Sequence, residues 1–161
     1  MSPFRIGFGF DVHPLAEGND FYLGGVKLPH TKGAVGHSDA DVLIHAICDA
    51  LLGAAGLGDI GFHFPDTDLQ YKNIDSKILL KRVVELLAEK KYRVGNLDTT
   101  VCLEHPKINS YIPSMKRSLA EVTGLYEDCI SIKATTNEKL GYVGRNEGIA
   151  AYAVVLIEYT L

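Results

Sequence analysis

A chain of 161 residues, 47% hydrophobic and 22% charged, has the composition of a globular domain able to bury one sizeable core. Its formal net charge of −4 gives no basic field for duplex nucleic acid or an anionic membrane, so a phosphorylated ligand has to be held by metal ions and a few placed cations. No apolar run is long enough to span a bilayer, and Met1-Ser2-Pro3-Phe4-Arg5 lacks the blocks of a signal peptide, so a soluble cytoplasmic protein is expected.

Phe4 to Pro14 alternates as a strand, with Gly7 and Gly9 marking where another element approaches closely. Period-two geometry sends Asp11 and His13 to the same side. Such a pair leaving a strand end suits half of a metal site, since zinc accepts imidazole nitrogen and carboxylate oxygen; a surface turn ending at Pro14 is the commoner use. Phe21 to Leu28 reads as a hairpin around Gly24-Gly25. The glycine-rich Gly33 to Gly36 then leads to His37, and Ser38-x-x-Asp41 resembles a capping box. The helix start that follows attracts anions, with His37 beside it.

The stretch His37 to Gly53 organises the chain. Leu43, Ala46, Ile47, Ala50, Leu51 and Ala54 recur at helical spacing and predict a buried helix. Asp41, His45 and Asp49 interrupt that apolar pattern at intervals of four, hence on one face. Buried carboxylates are costly unless something positive pairs with them, and a metal ion supplies that charge compactly.

Gly53 to Asp68 is a loop too rich in acids to cradle phosphate and without the lysine of a P-loop. Asp66 and Asp68 are either turn formers or acceptors for the hydroxyls of a polyol. Asp75-Ser76 to Lys90 is amphipathic, with Leu79, Val83, Leu86 and Leu87 inward. A strand follows from Arg93 to Leu103, then a helix from about Ser110 to Thr123 with Ile112, Met115, Leu119 and Val122 inward and Gly124 as its stop. Cys129 to Ala134 forms another strand and opens into Thr135 to Gly148, a loop of hydroxyls, one lysine, one arginine and glycines compatible with phosphate and a cation. The last strand, Ile149 to Tyr159, is nearly continuous in apolar residues and reads as buried on both faces. With three substantial helices available for one face of a sheet, a second copy of the chain is expected to cover the other. The cysteines Cys48, Cys102 and Cys129 form no CxxC pair, which suits small core residues without disulfides. One domain, 1–161, is expected.

Gly9-Phe10-Asp11-Val12-His13, His37 to Val42 with His45, Gly58 to Gly61 with Phe64 to Asp68, and Lys133 to Thr136 with Glu138 to Gly141 together closely resemble the 2-C-methyl-D-erythritol 2,4-cyclodiphosphate synthase family. The likeness runs colinearly from about Arg5 to Ile157. It implies an α/β subunit of the α+β sandwich type, with a mixed four-stranded sheet and helices on one face. It also implies a homotrimer with its sheets packed round the threefold axis and active sites between neighbours.

By the same resemblance Asp11, His13 and His45 hold zinc and leave its fourth position to a substrate phosphate, while Glu138 binds a second ion, magnesium or manganese. The implied reaction converts 4-diphosphocytidyl-2-C-methyl-D-erythritol 2-phosphate to the cyclic diphosphate with release of CMP. His37 and Thr136 match the positions that stabilise the transition state. Asp11, His13, His37 and Ser38 contact substrate, and Asp59, Ile60, Gly61, Phe64, Pro65, Asp66, Thr67 and Asp68 form the methylerythritol pocket. Leu103, Glu104, His105, Pro106, Lys107, Ile108 and Asn109, with Thr135, Thr136, Asn137 and Glu138, receive the cytidine diphosphate, and Tyr142 and Arg145 complete the phosphate end.

Departures from the family pattern fall at Asn137, Asn146 and His105. Two readings compete. A zinc-dependent phosphohydrolase would use metal-bound water, and a non-enzymatic trimeric nucleotide-binding module would close its zinc with a fourth ligand, for which Asp41 is the candidate. Our preferred role for Asp41 is instead to orient the His45 ring from one turn before it.

Overall fold

The computed structural model describes residues 3–160. In chain order the elements are β1 (Phe4–Glu17), β2 (Phe21–Leu23), β3 (Val26–Leu28), β4 (Lys32–Ala34), α1 (Val42–Ala55), α2 (Ile60–His63), α3 (Ser76–Glu89), β5 (Tyr92–Cys102), α4 (Ile112–Thr123), β6 (Ile130–Thr135), α5 (Gly141–Gly144) and β7 (Gly148–Tyr159). Single 3-10 turns at Leu69–Tyr71, Asn109–Tyr111 and Glu127–Cys129 complete them. No described helix is long and apolar enough to cross a membrane.

The sheet is mixed and five-stranded, in the order β4-β1-β7-β5-β6. Only β5 and β6 run parallel, while the other neighbours are antiparallel. The expectation of four strands is therefore corrected to five. The fifth, β4, is the three residues Lys32-Gly33-Ala34 paired with Leu15 to Glu17, too short and too glycine-rich to announce itself by periodicity. The predicted hairpin is present as β2 and β3, a separate two-stranded ribbon.

Helix α1 is buried nearly all round, as its apolar composition requires. It lies close against β1 because Gly7 and Gly9 have no side chains. A Cβ on Gly7 would sit 1.9 Å from the Ala50 carbonyl oxygen, and one on Gly9 would sit 1.9 Å from that of Ala46. The helix begins at Asp41, whose side chain accepts from the Ile44 amide, and ends at Gly56 with φ of 71°. Asp41 is thus the N-cap in place of the expected Ser38.

Odd-numbered positions of β1, from Gly7 to His13, face α1. Even-numbered ones face away, and Phe4, Ile6, Phe8, Phe10 and Val12 are exposed together with Tyr152 and Val154 of β7. The register places Phe8 opposite Val154 and Phe10 opposite Tyr152, so these side chains form one contiguous apolar patch. Within a single chain, then, β7 is covered on one face only, and the face left open is the one for which a second copy is expected. Its continuous apolar run serves two surfaces, and one of them is open.

Candidate active site

Asp11 and His13 leave β1 on the helix side, and His45 projects from the second turn of α1 to meet them. Asp11 Oδ2 lies 2.9 Å from His13 Nε2 and 3.1 Å from His45 Nδ1, and the two imidazole nitrogens are 3.1 Å apart. Among the described residues these three form the one group of such side chains close enough to share a metal ion. Donor atoms of a tetrahedral zinc with bonds of about 2.0–2.1 Å sit roughly 3.3 Å apart, which the triangle nearly matches.

The outer hydrogen bonds strengthen the fit. His13 Nδ1 donates to the Val35 carbonyl oxygen at 3.0 Å, which leaves Nε2 with a lone pair. His45 Nε2 faces Ser76 Oγ at 2.9 Å and Ser38 Oγ at 3.1 Å, which turns Nδ1 inward. The His13 lone pair, the His45 Nδ1 atom and a carboxylate oxygen thus converge on one point, and that point requires a cation, whether metal ion or proton.

Charge at the site follows from this crowding. Burial pushes the Asp11 carboxyl up, but hydrogen bonds and charge from His13 and His45 outweigh it and bring it down to about 2. For His13 burial works against the proton, yet the bond and charge of Asp11 and the Val35 carbonyl prevail, and its pKa is raised above 6.5. A metal must displace this firmly held proton. Metal affinity is therefore expected to fall as decreasing pH protonates His13, whose pKa is raised, with protons released on binding. Calorimetry in buffers of different ionisation enthalpy measures this; an affinity unchanged between about pH 5 and about pH 8 would contradict it.

Asp41 touches no member of the triad with its side chain. It is fully buried and accepts from the amides of Gly24 at 3.0 Å, Gly25 at 2.7 Å and Ile44 at 3.0 Å. Burial pushes its carboxyl up, partly offset by these amides. It ties the β2–β3 hairpin to the start of α1, and both proposed roles, orienter of His45 and fourth metal ligand, are replaced by this one. Asp49, on the same face, accepts from the Ile60 amide at 2.7 Å and anchors α2.

The acid-rich loop is built largely on its own carboxylates. Asp59 caps α2 through the Phe62 amide at 2.9 Å, and Asp68 caps the turn Leu69–Tyr71 through the Gln70 amide at 3.0 Å. Asp66 and Thr67 are exposed beside them, as are Gly61 and Pro65, while Ile60 and Phe64 are half-buried. His37 Nε2 donates to the Asp68 carbonyl oxygen at 3.2 Å, so the structure joins His37 to this loop. An open hollow of about 620 Å³ extends from Ser38 and Asp39 past Val35 and Gly36 to Asp20 and Tyr22, with Asn73 and Asp75 also in its lining and no member of the triad.

The nucleotide candidates gather elsewhere. Leu103, Pro106, Lys107, Ile108 and Asn109 meet Ala134, Thr135 and Thr136 round a small hollow of about 110 Å³, pinned by the Leu103 amide on the Thr135 carbonyl at 3.0 Å. His105 is exposed next to them. Glu104 is drawn inward instead, its Oε1 accepting from the amides of Asn137 at 3.0 Å and Lys139 at 3.1 Å. That brace spans Glu138 and Lys139, both in left-handed backbone at φ of 52° and 62°, a conformation side-chain-bearing residues hold only when their surroundings impose it. Tyr142 is exposed, and Arg145 forms a two-pronged ion pair with Glu147 at 2.9 Å. Asn146 takes φ of 56°, a conformation asparagine tolerates better than most side-chain-bearing residues.

The triad and this second cluster occupy the same end of the sheet but not the same place. Val12 of β1 pairs with Ala150 of β7, Ala150 with Cys102 of β5, and Cys102 with Thr135 of β6. Three strand spacings, roughly 14 Å, therefore separate the triad from the second cluster within one chain. Ser76 and Asp39, which stand directly behind His45, were not singled out in the sequence. Asp75-Ser76 read as an ordinary helix start, and only the fold brings α3 against α1.

A sequence model of the YgbB family matches residues 4–158. The 2-C-methyl-D-erythritol 2,4-cyclodiphosphate synthase of Bacteroides thetaiotaomicron is 64% identical over 154 residues, covering 96% of this chain and 97% of its own. Among solved structures, the bifunctional IspDF of Campylobacter jejuni superposes with a TM-score of 0.93 at 43% identity, over 97% of this chain. The chain spans 42% of the length of that larger protein. A CDP complex of IspF from Plasmodium falciparum superposes with a TM-score of 0.87 at 34% identity, covering 100% of this chain and 99% of the other.

Proposed function

Because the chain belongs to the YgbB family, it is a cyclising enzyme of isoprenoid precursor synthesis, and we propose how its residues divide the work. The reaction converts 4-diphosphocytidyl-2-C-methyl-D-erythritol 2-phosphate to 2-C-methyl-D-erythritol 2,4-cyclodiphosphate. An oxygen of the 2-phosphate attacks the β-phosphorus, the bond to the bridging oxygen breaks, and CMP leaves. No protein nucleophile is needed; positioning and neutralisation of charge do the catalytic work.

The convergence of Asp11, His13 and His45 on one point carries the assignment. These three are the ligands for zinc, and the exposed Glu138 carboxylate is the protein ligand for magnesium or manganese. When bound, the two ions supply Lewis acidity to the diphosphate oxygens and hold them in place. His37 and Thr136 donate to phosphate oxygens where charge builds up, and Ser38 assists beside the triad. The segment Asp59 to Gly61 and the loop Phe64 to Asp68 receive the methylerythritol part, with His37 already bonded to the loop. The hollow between Leu103 to Asn109 and Thr135 to Thr136 receives the cytosine, and Lys107 is free to meet the diphosphate. Arg145, paired with Glu147, and Tyr142 lie at the phosphate end. Asn137 contributes its amide side chain to the nucleotide side, and Glu104 holds the loop. The highly charged substrate cannot cross an apolar barrier unaided, which supports a cytoplasmic setting.

The separation of roughly 14 Å between the two halves supports a site completed by a neighbouring copy, and the open apolar face of β1 and β7 supplies a contiguous surface for packing one copy on another. The assembly we favour is a homotrimer, with metal residues from one subunit and nucleotide residues from the next. Mixing two inactive variants, His45→Ala and Thr136→Ala, tests this. Random reassembly into cyclic trimers puts both intact halves together in roughly a quarter of the sites, so the mixture regains that share of activity. A mixture no more active than its parts would place each site within one chain.

A further inference from the structure

Behind His45 stands a chain of groups that the reaction itself does not use. Ser76 is the first residue of α3, is fully buried, and takes no part in capping its own helix, since Asp75 does that through the Lys77 amide. Its hydroxyl lies between His45 Nε2, at 2.9 Å, and Asp39 Oδ1, to which it donates a hydrogen bond. Asp39 Oδ2 accepts from the Ser76 amide at 3.0 Å, and Oδ1 also accepts from the Asp41 amide at 3.2 Å. Asp39 is thus held by three donors and cannot swing away.

We infer that Asp39 and Ser76 form a positioning relay that fixes the His45 tautomer, keeping its proton on Nε2 so that Nδ1 is always presented as a metal ligand. The inference rests on the metal assignment of Asp11, His13 and His45. A carboxylate accepts hydrogen bonds and donates none, so the Ser76 hydroxyl hydrogen is committed to Asp39. The Ser76 oxygen is then left only with lone pairs toward His45, and the ring must donate to it. Ser38 Oγ, 3.1 Å from the same nitrogen and accepting from the Ala40 amide at 3.2 Å, provides a second, longer acceptor. The usual carboxylate–histidine–metal arrangement is here extended by one hydroxyl, which lets α3 govern a ligand carried on α1.

The test separates this inference from the metal assignment. Zinc affinity is measured by competition with a chromophoric chelator, and the His45 tautomer by nitrogen-15 NMR of the zinc-free protein at alkaline pH. In the unmodified protein the ring proton is expected on Nε2. Ser76→Ala removes the nearer acceptor and is expected to weaken zinc binding about ten- to a hundredfold while shifting the proton population toward Nδ1. Asp39→Ala, which frees the hydroxyl to turn and donate to the ring, is expected to shift the tautomer the same way. A proton on Nδ1 in the unmodified protein overturns the relay whether or not either variant folds, and so does unchanged zinc affinity in a folded Ser76→Ala protein. Zinc that fails to bind the unmodified protein overturns the metal assignment, and the relay with it.

Discussion

His45→Ala is expected to lower turnover by on the order of 10³-fold or more, because Lewis-acid stabilisation of a transferring phosphoryl group is worth several kcal/mol and each 1.36 kcal/mol is tenfold in rate. The substitution removes one corner of the triangle formed with Asp11 Oδ2 and His13 Nε2. It also leaves that carboxylate and imidazole able to share a proton between themselves. The fold should survive, since alanine is the best helix former and the His45 side chain is already 13% exposed beside solvent. Zinc content of the purified protein and turnover at saturating substrate measure the two effects together. A folded variant with full zinc content and full turnover would remove His45 from the metal site.

Asp41→Ala is expected to act on stability rather than chemistry. Its carboxylate accepts from three amides, those of Gly24, Gly25 and Ile44, in a position with no solvent to replace it. Each glycine amide left unpaired costs about 1–3 kcal/mol, and loss of the N-cap bond to Ile44 costs about 1 kcal/mol. A loss of at least about 3 kcal/mol is a large share of the roughly 5–15 kcal/mol that holds a domain together. Urea unfolding measures it. Loss of less than about 1 kcal/mol would mean that water or a neighbouring group takes over from the carboxylate. Asp49→Ala, which frees one amide at the edge of α2, should be much milder.

The contrast between Asp41 and His45 shows what the sequence could and could not reveal. Their spacing of four residues correctly put them on one side of α1, but it could not say what each would meet. His45 meets β1, whose glycines let the helix come close; Asp41 meets the turn of a hairpin that is distant in sequence. Asp11 and His13 were legible because a strand's period fixes their common side, and His45 because an imidazole is foreign to an apolar helix. Ser76 and Asp39 were not legible, since a serine at a helix start has a sufficient local explanation and its true partner comes from another helix. The short β4 escaped notice for want of length, whereas the open face of β7 was legible, because its apolar run calls for cover on both surfaces and three helices supply it for one. The segments Leu103 to Asn109 and Thr135 to Thr136 were assigned together by resemblance, and the parallel pairing of β5 with β6 supplies the physical reason they meet.

The most direct test of the account is product analysis. Zinc-loaded protein with magnesium is incubated with 4-diphosphocytidyl-2-C-methyl-D-erythritol 2-phosphate and followed by phosphorus NMR. Equimolar CMP and cyclic diphosphate, with neither formed by His45→Ala, is the predicted result. Linear phosphates in place of the ring would contradict it and would make water, not the substrate's own phosphate, the attacking group.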